Sequence, residues 1–329
     1  MFVSTDGHSI DKKVTAFLDA GSLHLSDLDL TCLRTIPGTL QTYNETSRSD
    51  LIERTADAWC VIVNKVKLDA DFFKQRPNVR LVCIIATGTN NVDLQAAKAG
   101  GVSVVNCRDY STESVVQHCF MLILMLLRSM KPYLVDVADG NWSCSTHFSL
   151  LTHPITEVRD LSLGVVGFGD IGQRVAKLGE AFGMQVVISE RVGQPARAGR
   201  KSFNEVLKTC DIISLHCPLT EHTRNLIGHN ELAQMKPNAL LINTARGDLI
   251  DEQALLAALS NKVIAGAALD VLTTEPPPEN SPVLCADLPN LIVTPHIAWA
   301  SRQARQSALE QTVENILAWL QGEKKRSVV

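Results

Sequence analysis

Within this chain of 329 residues, the stretch that most restricts the fold is Leu163-Gly-Val-Val-Gly-Phe-Gly-Asp-Ile-Gly172. A short β-branched run, Val165 and Val166, leads into Gly167, Gly169 and Gly172. Behind them Ile171, Val175, Leu178 and Phe182 recur at helical spacing. Strand, glycine turn and helix start follow one another directly. The first glycine permits a tight turn, the second lets backbone approach a pyrophosphate, and the third lets helix and strand pack closely. Phosphates can then rest on the unpaired amides and positive dipole end of the helix. Gly183 closes that helix and Gln185-Val-Val-Ile-Ser189 reads as the next strand. Glu190 ends it, eighteen residues past Gly172, where a carboxylate can accept hydrogen bonds from ribose hydroxyls. A glycine triplet by itself is equally an ordinary turn. With the flanking strand, helix and acid it specifies a dinucleotide site that includes Gly167, Gly169, Asp170, Ile171, Gly172 and Glu190.

The rest of the chain is long enough for a second domain. Residues 13–106 alternate short apolar runs (Val14–Leu18, Cys60–Val63, Leu81–Ile85, Val102–Val105) with segments of helical spacing, which predicts a parallel sheet covered on both faces. Between two of these elements, Ala86-Thr-Gly-Thr-Asn-Asn-Val-Asp93 is either a carboxylate-binding nest formed by the amides of Thr87, Gly88 and Thr89 or a plain strand–helix connection. A helix starting at Thr112 is apolar nearly all round. That predicts burial between domains or in a subunit interface. Residues 130–160 lack periodicity and read as an extended arm or linker. A second alternating unit follows: Ser202 with Glu205 resembles a capping box, Ile212–Leu215 and Ala239–Asn243 read as strands, and Asp251 caps a helix. Val263–Val271 and Leu291–Thr294 are the last expected strands. After Ser301, residues Ala304, Ala308, Val313, Ile316 and Leu320 share one helix face, and the polar tail from Glu323 is expected to fray.

Composition limits the partners. A net charge of −4 gives no sign of nucleic-acid or membrane-surface binding, and the longest apolar block, Phe120–Leu127, is too short to span a bilayer. Nine cysteines without a Cys-x-x-Cys spacing argue against disulfides and against a metal site, and favour the reducing cytoplasm. No signal peptide is read at the start, and residues 1–12 are expected to be an irregular extension.

Most expected strands of the second unit end in a polar residue: Glu190, His216, Arg246 beside Thr244, Asp270 and Pro295-His296. Each has a structural reading taken singly. Strand carboxyl ends of an open parallel sheet, however, share one edge, where ligands bind.

Several of these segments, Gly167-Phe-Gly-Asp-Ile-Gly172, Asn243-Thr-Ala-Arg-Gly247, Ala268-Leu-Asp-Val271, Glu275-Pro276 and Thr294-Pro-His296, together resemble the motifs of D-2-hydroxyacid dehydrogenases, in order and across nearly the whole chain from about residue 14. Ser214–Thr220 and Thr294–Ser301 look closest to the glycerate dehydrogenases, or hydroxypyruvate reductases, of that family. The resemblance implies an α/β protein with two doubly wound parallel-sheet domains and a cleft between them. Residues 1–110 would begin a flavodoxin-like substrate domain to which 300–329 return. Residues 111–299 would form a Rossmann NAD(P)-binding domain, with a dimerisation helix and arm at 112–160. A homodimer through the cofactor domains is implied too.

Carried over residue by residue, the resemblance makes His296 the acid/base for a small 2-hydroxy or 2-keto acid, with Glu275 orienting the imidazole and stabilising its charged form. Arg246 would polarise the carbonyl and pair with the substrate carboxylate, whose other end would meet the amides of Thr87 and Gly88. Asp270 would bind the nicotinamide amide. His216, Cys217, Pro218, Thr223, Thr244, Ala245 and Ala298 would line the cofactor, with Thr87, Arg246 and His296 also in contact with it. A glutamate at 275 favours a hydroxy acid, because formate dehydrogenases carry glutamine there. Glu190 favours NAD by repelling a 2′-phosphate, while Arg191, Arg197 and Arg200 keep NADP open. Other 2-keto acids, of the phosphoglycerate or D-lactate type, remain alternatives, as does an NADH-sensing corepressor-like role.

Overall fold

The computed structural model describes residues 14–329, so the expected extension at 1–12 lies outside the described residues. The chain divides into two compact units, one holding the described residues up to Ser111 together with Ala300–Val329, the other Thr112–Trp299. Both are built on parallel sheets flanked by helices, the expected α/β class.

In the first unit β1 (Val14–Phe17), β2 (Thr39–Thr42), β3 (Ala58–Val63), β4 (Leu81–Ile84) and β5 (Ser103–Asn106) lie in the order β2-β1-β3-β4-β5. This is the flavodoxin-like order. Alternation along the strands feeds two cores. Cys60 and Ile62 of β3 face the helix Arg302–Leu320 through Ala308, Val313 and Ile316, whereas Val61 and Val63 face Phe72 and Phe73. Burying a side chain such as Ile316 stabilises by about 1.5–3 kcal/mol, so the returning helix is anchored by its apolar face rather than by intrinsic propensity. β2 escaped sequence reading because it is a polar, mostly exposed edge strand with no apolar run.

The tail corrects one expectation. Instead of fraying, it lies antiparallel to β5: Asn106 donates to the Arg326 carbonyl at 3.2 Å, Val328 donates to the Val104 carbonyl at 2.8 Å, and Val105 bridges Ser327. Arg326 also pairs with Glu314 at 2.7 Å. Its two valines pack on the core, which the polar stretch before them hid.

The second unit contains β6 (Ser162–Val166), β7 (Gln185–Ile188), β8 (Ile212–Leu215), β9 (Leu240–Asn243), β10 (Gly266–Leu269) and β11 (Leu291–Val293), ordered β11-β10-β9-β8-β6-β7. Lys201 forms a parallel bridge with Ser189 just past β7. It stands where the third strand of a dinucleotide-binding half belongs and brings the order to the Rossmann pattern. The order reverses between β6 and β8, so the ligand crevice of this unit is expected at their carboxyl ends. β10 is shorter than the Val263–Val271 run because only its middle pairs with both β9 and β11.

Two further expectations change here. The helix Thr112–Leu127 buries Val115, Val116, Cys119, Phe120, Leu122 and Ile123 against its own unit's sheet and the helix Asp170–Ala181, so a sheet face of its own unit accounts for that stripe. The expected linker at 130–160 starts with a helix, Met130–Ala138, none of whose residues is buried. Residues beyond fold back on it: Tyr133 donates its hydroxyl to the His153 carbonyl at 2.8 Å, and His153 Nε2 lies 2.9 Å from Asp136. Without a buried stripe, the segment had no periodicity to read. Among the described residues no helix is long and apolar enough to cross a membrane.

Candidate active site

The glycine turn is a constrained object. Gly167 has φ of +96° and lies so close to the next strand's exit that a Cβ would stand 2.5 Å from the Cys217 amide nitrogen. At Gly172 a Cβ would stand 2.0 Å from the Gly167 carbonyl oxygen, so only glycine lets the helix start this close to β6. Around Gly169, by contrast, a Cβ would meet nothing within 4 Å. Open space therefore lies over the N-terminus of the helix Asp170–Ala181, whose first amides have no partner within the helix. At the end of β9 the Thr244 hydroxyl is buried without a hydrogen-bond partner. An open phosphate cradle and an orphaned hydroxyl on one sheet edge fit a bound dinucleotide.

Glu190, expected to meet the ribose, is only 3% exposed and is already engaged. Arg197 grips it in a fork, Nε to Oε2 at 2.6 Å and Nη2 to Oε1 at 2.7 Å, and the Arg191 amide donates to Oε1 at 3.0 Å. Arg200 stands 3.8 Å from Oε1 and over the Phe168 ring of the glycine turn. These bonds, the Arg197 fork foremost, hold the Glu190 carboxyl down at about 2. Any ligand hydroxyl reaching this carboxylate would have to share or displace the fork.

His216, at the end of β8, hydrogen-bonds Ser214 through Nε2 at 2.8 Å, and burial holds its imidazole down at about 4, hence neutral near pH 7. Burial likewise pushes the Cys217 thiol up to about 11. Pro218 is exposed, and its carbonyl accepts the Thr223 hydroxyl at 2.8 Å. Thr223 thus folds the 218–223 loop rather than presenting an unengaged hydroxyl to a ligand. In the first unit, Thr87 and Gly88 follow β4 as expected. Among the described residues none of the amides of Thr87, Gly88, Thr89 and Asn90 donates a hydrogen bond, and the Thr87 carbonyl is fixed by Asn106 at 2.8 Å.

Three polar residues are gathered by backbone packing. Asn243 shapes the turn after β9: its side chain accepts from the Ala245 amide at 3.0 Å and donates to the Arg246 carbonyl at 2.8 Å. Arg246 keeps one N–H on the Ala245 carbonyl at 2.7 Å and has no carboxylate partner among the described residues. Gly247 next to it lies against the backbone of Leu272, where a Cβ would stand 2.0 Å from the carbonyl carbon. The Leu272 amide in turn donates to Glu275 Oε1 at 3.0 Å, and Glu275 Oε2 is 2.7 Å from His296 Nδ1. With Nδ1 on the carboxylate, Nε2 is the edge left for chemistry. Such a charge-assisted contact fixes both ring and tautomer.

Asp270 does more than the sequence suggested. It is 1% exposed, and its Oδ1 accepts the Thr294 hydroxyl at 2.6 Å and the Ile297 amide at 2.9 Å, while Oδ2 accepts the Ala298 amide at 2.8 Å. Its carbonyl also accepts the His296 amide at 2.8 Å. His296 has φ of +54°, in the left-handed region. Asp270 thus clamps three consecutive amides around that strained residue. Ala298 is buried, its carbonyl held by Ser114 at 2.6 Å. His118, which sequence reading passed over, hydrogen-bonds Thr294 at 3.0 Å and stands 3.4 Å from Asp270. Burial lowers its imidazole below the ordinary value, against the opposing pull of Asp270. The available signal was one polar residue beside the buried stripe of an apolar helix.

Comparison with known proteins finds relatives over nearly the whole chain. The profile of the family described as D-isomer specific 2-hydroxyacid dehydrogenase, NAD binding domain, matches residues 120–298. A glycerate dehydrogenase of Methylorubrum extorquens is 41% identical over 318 residues, covering 96% of this chain and 99% of its own. A hydroxypyruvate reductase of Blautia hydrogenotrophica is 34% identical over 312 residues, covering 93% and 96%. The crystal structure of the TT0316 protein from Thermus thermophilus superposes with a TM-score of 0.83 at 33% identity, covering 96% of this chain and all of that one.

Proposed function

Because the chain belongs to the D-isomer specific 2-hydroxyacid dehydrogenase family, we propose that it interconverts hydroxypyruvate and D-glycerate, with glyoxylate and glycolate as a second pair, and prefers NADH. Family membership makes it an NAD(P)-dependent oxidoreductase acting on a CH–OH group. The substrate assignment draws support from the relatives named for glycerate and hydroxypyruvate. When bound, the dinucleotide gives hydride to the keto carbon or takes it from the hydroxy carbon.

The chain's own residues handle the proton and the charges. His296 Nε2 donates the proton to the carbonyl oxygen during reduction and removes the hydroxyl proton during oxidation. Glu275 keeps Nδ1–H engaged and steadies the imidazolium. Arg246 pairs with the substrate carboxylate and polarises the carbonyl. Glu190 disfavours a 2′-phosphate, which supports NADH, although Arg197 tempers that repulsion. The single observation that carries the reading is the Glu275–His296 contact at 2.7 Å on the edge that holds the glycine turn. Replacing His296 by Asn should lower kcat by about 10²–10⁴ with little change in cofactor affinity. Unchanged turnover would remove His296 from the reaction. A panel of 2-keto acids with NADH and NADPH in parallel tests the substrate. If every kcat lies far below ~1 s⁻¹, a sensor replaces the enzyme.

We also propose a homodimer through the second unit, in the cytoplasm. Phe148 is 93% and Leu151 80% exposed, and Leu134, Val135 and Val137 line the outer face of the helix Met130–Ala138. Exposed apolar side chains this numerous on one segment suit a second copy. All nine cysteines are free thiols, in keeping with a reducing compartment.

A further inference from the structure

We propose that His118 is a positioning residue for the reaction: through Thr294 and Asp270 it holds the 294–298 loop in the one geometry that presents His296. The inference rests on His296 as the acid/base.

The polarity of the relay follows from its donors and acceptors. Two amides, from Ile297 and Ala298, already donate to the Asp270 carboxylate, and the Thr294 hydroxyl gives it its only hydrogen at 2.6 Å. The hydroxyl oxygen is then left as an acceptor, and its neighbour at 3.0 Å is His118 Nε2. Nε2 must therefore carry a hydrogen and donate it, which fixes the imidazole as the Nε2–H tautomer. His118 belongs to the helix Thr112–Leu127, which packs on the unit's own sheet, and its side chain is only 10% exposed. A packed helix thus reaches the hydroxyl end of the relay. Removing the donor leaves the Thr294 oxygen without it, frees the hydroxyl to rotate away from Asp270, and loosens the clamp on a residue in a strained backbone state.

Three measurements test this on the full chain. Nitrogen-15 spectra of histidine-labelled protein at pH 7–8 should show His118 as a neutral Nε2–H ring, and the Nδ1–H form would overturn the relay. His118→Leu should lower kcat about tenfold, leave both KM values within about twofold, and speed amide exchange at Ile297 and Ala298 about tenfold. His118→Gln, which restores an N–H at similar reach, should recover most of both. If Leu behaves as wild type and Gln is the damaged variant, the residue only fills space and the proposal fails. A double variant of His118→Leu with Thr294→Val should be no worse than the poorer single one, because both cut the same chain. Losses that multiply would overturn it. Tautomer and exchange are read without turnover, so a failure of the His296 assignment and a failure of the relay give different results.

Discussion

The ends of β7 and β10 each carry a buried carboxylate on the same sheet, and the two are held by different kinds of partner. Asp270 is gripped by backbone amides and a threonine, groups the fold places without choice. Glu190 is gripped chiefly by Arg197, a long side chain that is 60% exposed and can swing into solvent. The first arrangement makes an acid into scaffolding. The second keeps an acid satisfied until something exchanges for its partner, as a cofactor ribose would. Both were candidates for the same ligand on sequence grounds, and only their partners separate them.

The contrast can be broken at the β10 end first, where the effect should be largest. Asp270→Asn presents an amide nitrogen that cannot accept from the loop, leaving a buried donor unsatisfied at a cost of about 1–3 kcal/mol. The expected outcome is kcat down at least about a hundredfold and Tm down by about 5 °C, measured by steady-state assay and calorimetry. At the β7 end, Glu190→Gln should leave Tm within about 2 °C and shift cofactor preference toward NADPH by about tenfold in kcat/KM, whereas Arg197→Ala should shift it about tenfold toward NADH. If Glu190→Gln unfolds the protein and Asp270→Asn does not, the distinction is inverted. Assembly is read apart from either acid: Phe148→Glu should turn a dimer into a monomer by sedimentation, with the fold kept.

The smallest effect is in pH. His216 lies below its ordinary 6.5, at about 4, so the unfolded chain binds that proton first. Its contribution to stability is full above pH 6.5 and lost as pH falls toward 4. Glu190, also lowered, contributes fully above pH 4.5 and loses it only as pH falls toward 2. From pH 6.5 to 4.5, therefore, His216→Gln should flatten the fall in Tm, while Arg197→Ala should not.

Much of this was readable beforehand, and the failures share a cause. The glycine turn, the buried strands and the polar strand ends are local signals, each imposed by a pleat, a turn or a cap. The helix Met130–Ala138 and the strand Thr39–Thr42 were unreadable because neither presents a buried face to its own unit. The tail from Glu323 was misjudged because its pairing partner, β5, is more than two hundred residues away in sequence. In the candidate site, the residue types and strand ends were legible. Their partners were not: Arg197 for Glu190 and His118 for Thr294 are side-chain choices made in three dimensions.

The left-handed backbone at His296 has a consequence for any attempt to diversify this position. Such a conformation is populated readily by glycine and, among other residues, chiefly by asparagine, aspartate and histidine. A library randomised at 296 is thus screened twice, by torsion before chemistry. Soluble survivors should be enriched in Gly, Asn and Asp, branched residues should drop out at expression, and only the imidazole should turn over substrate.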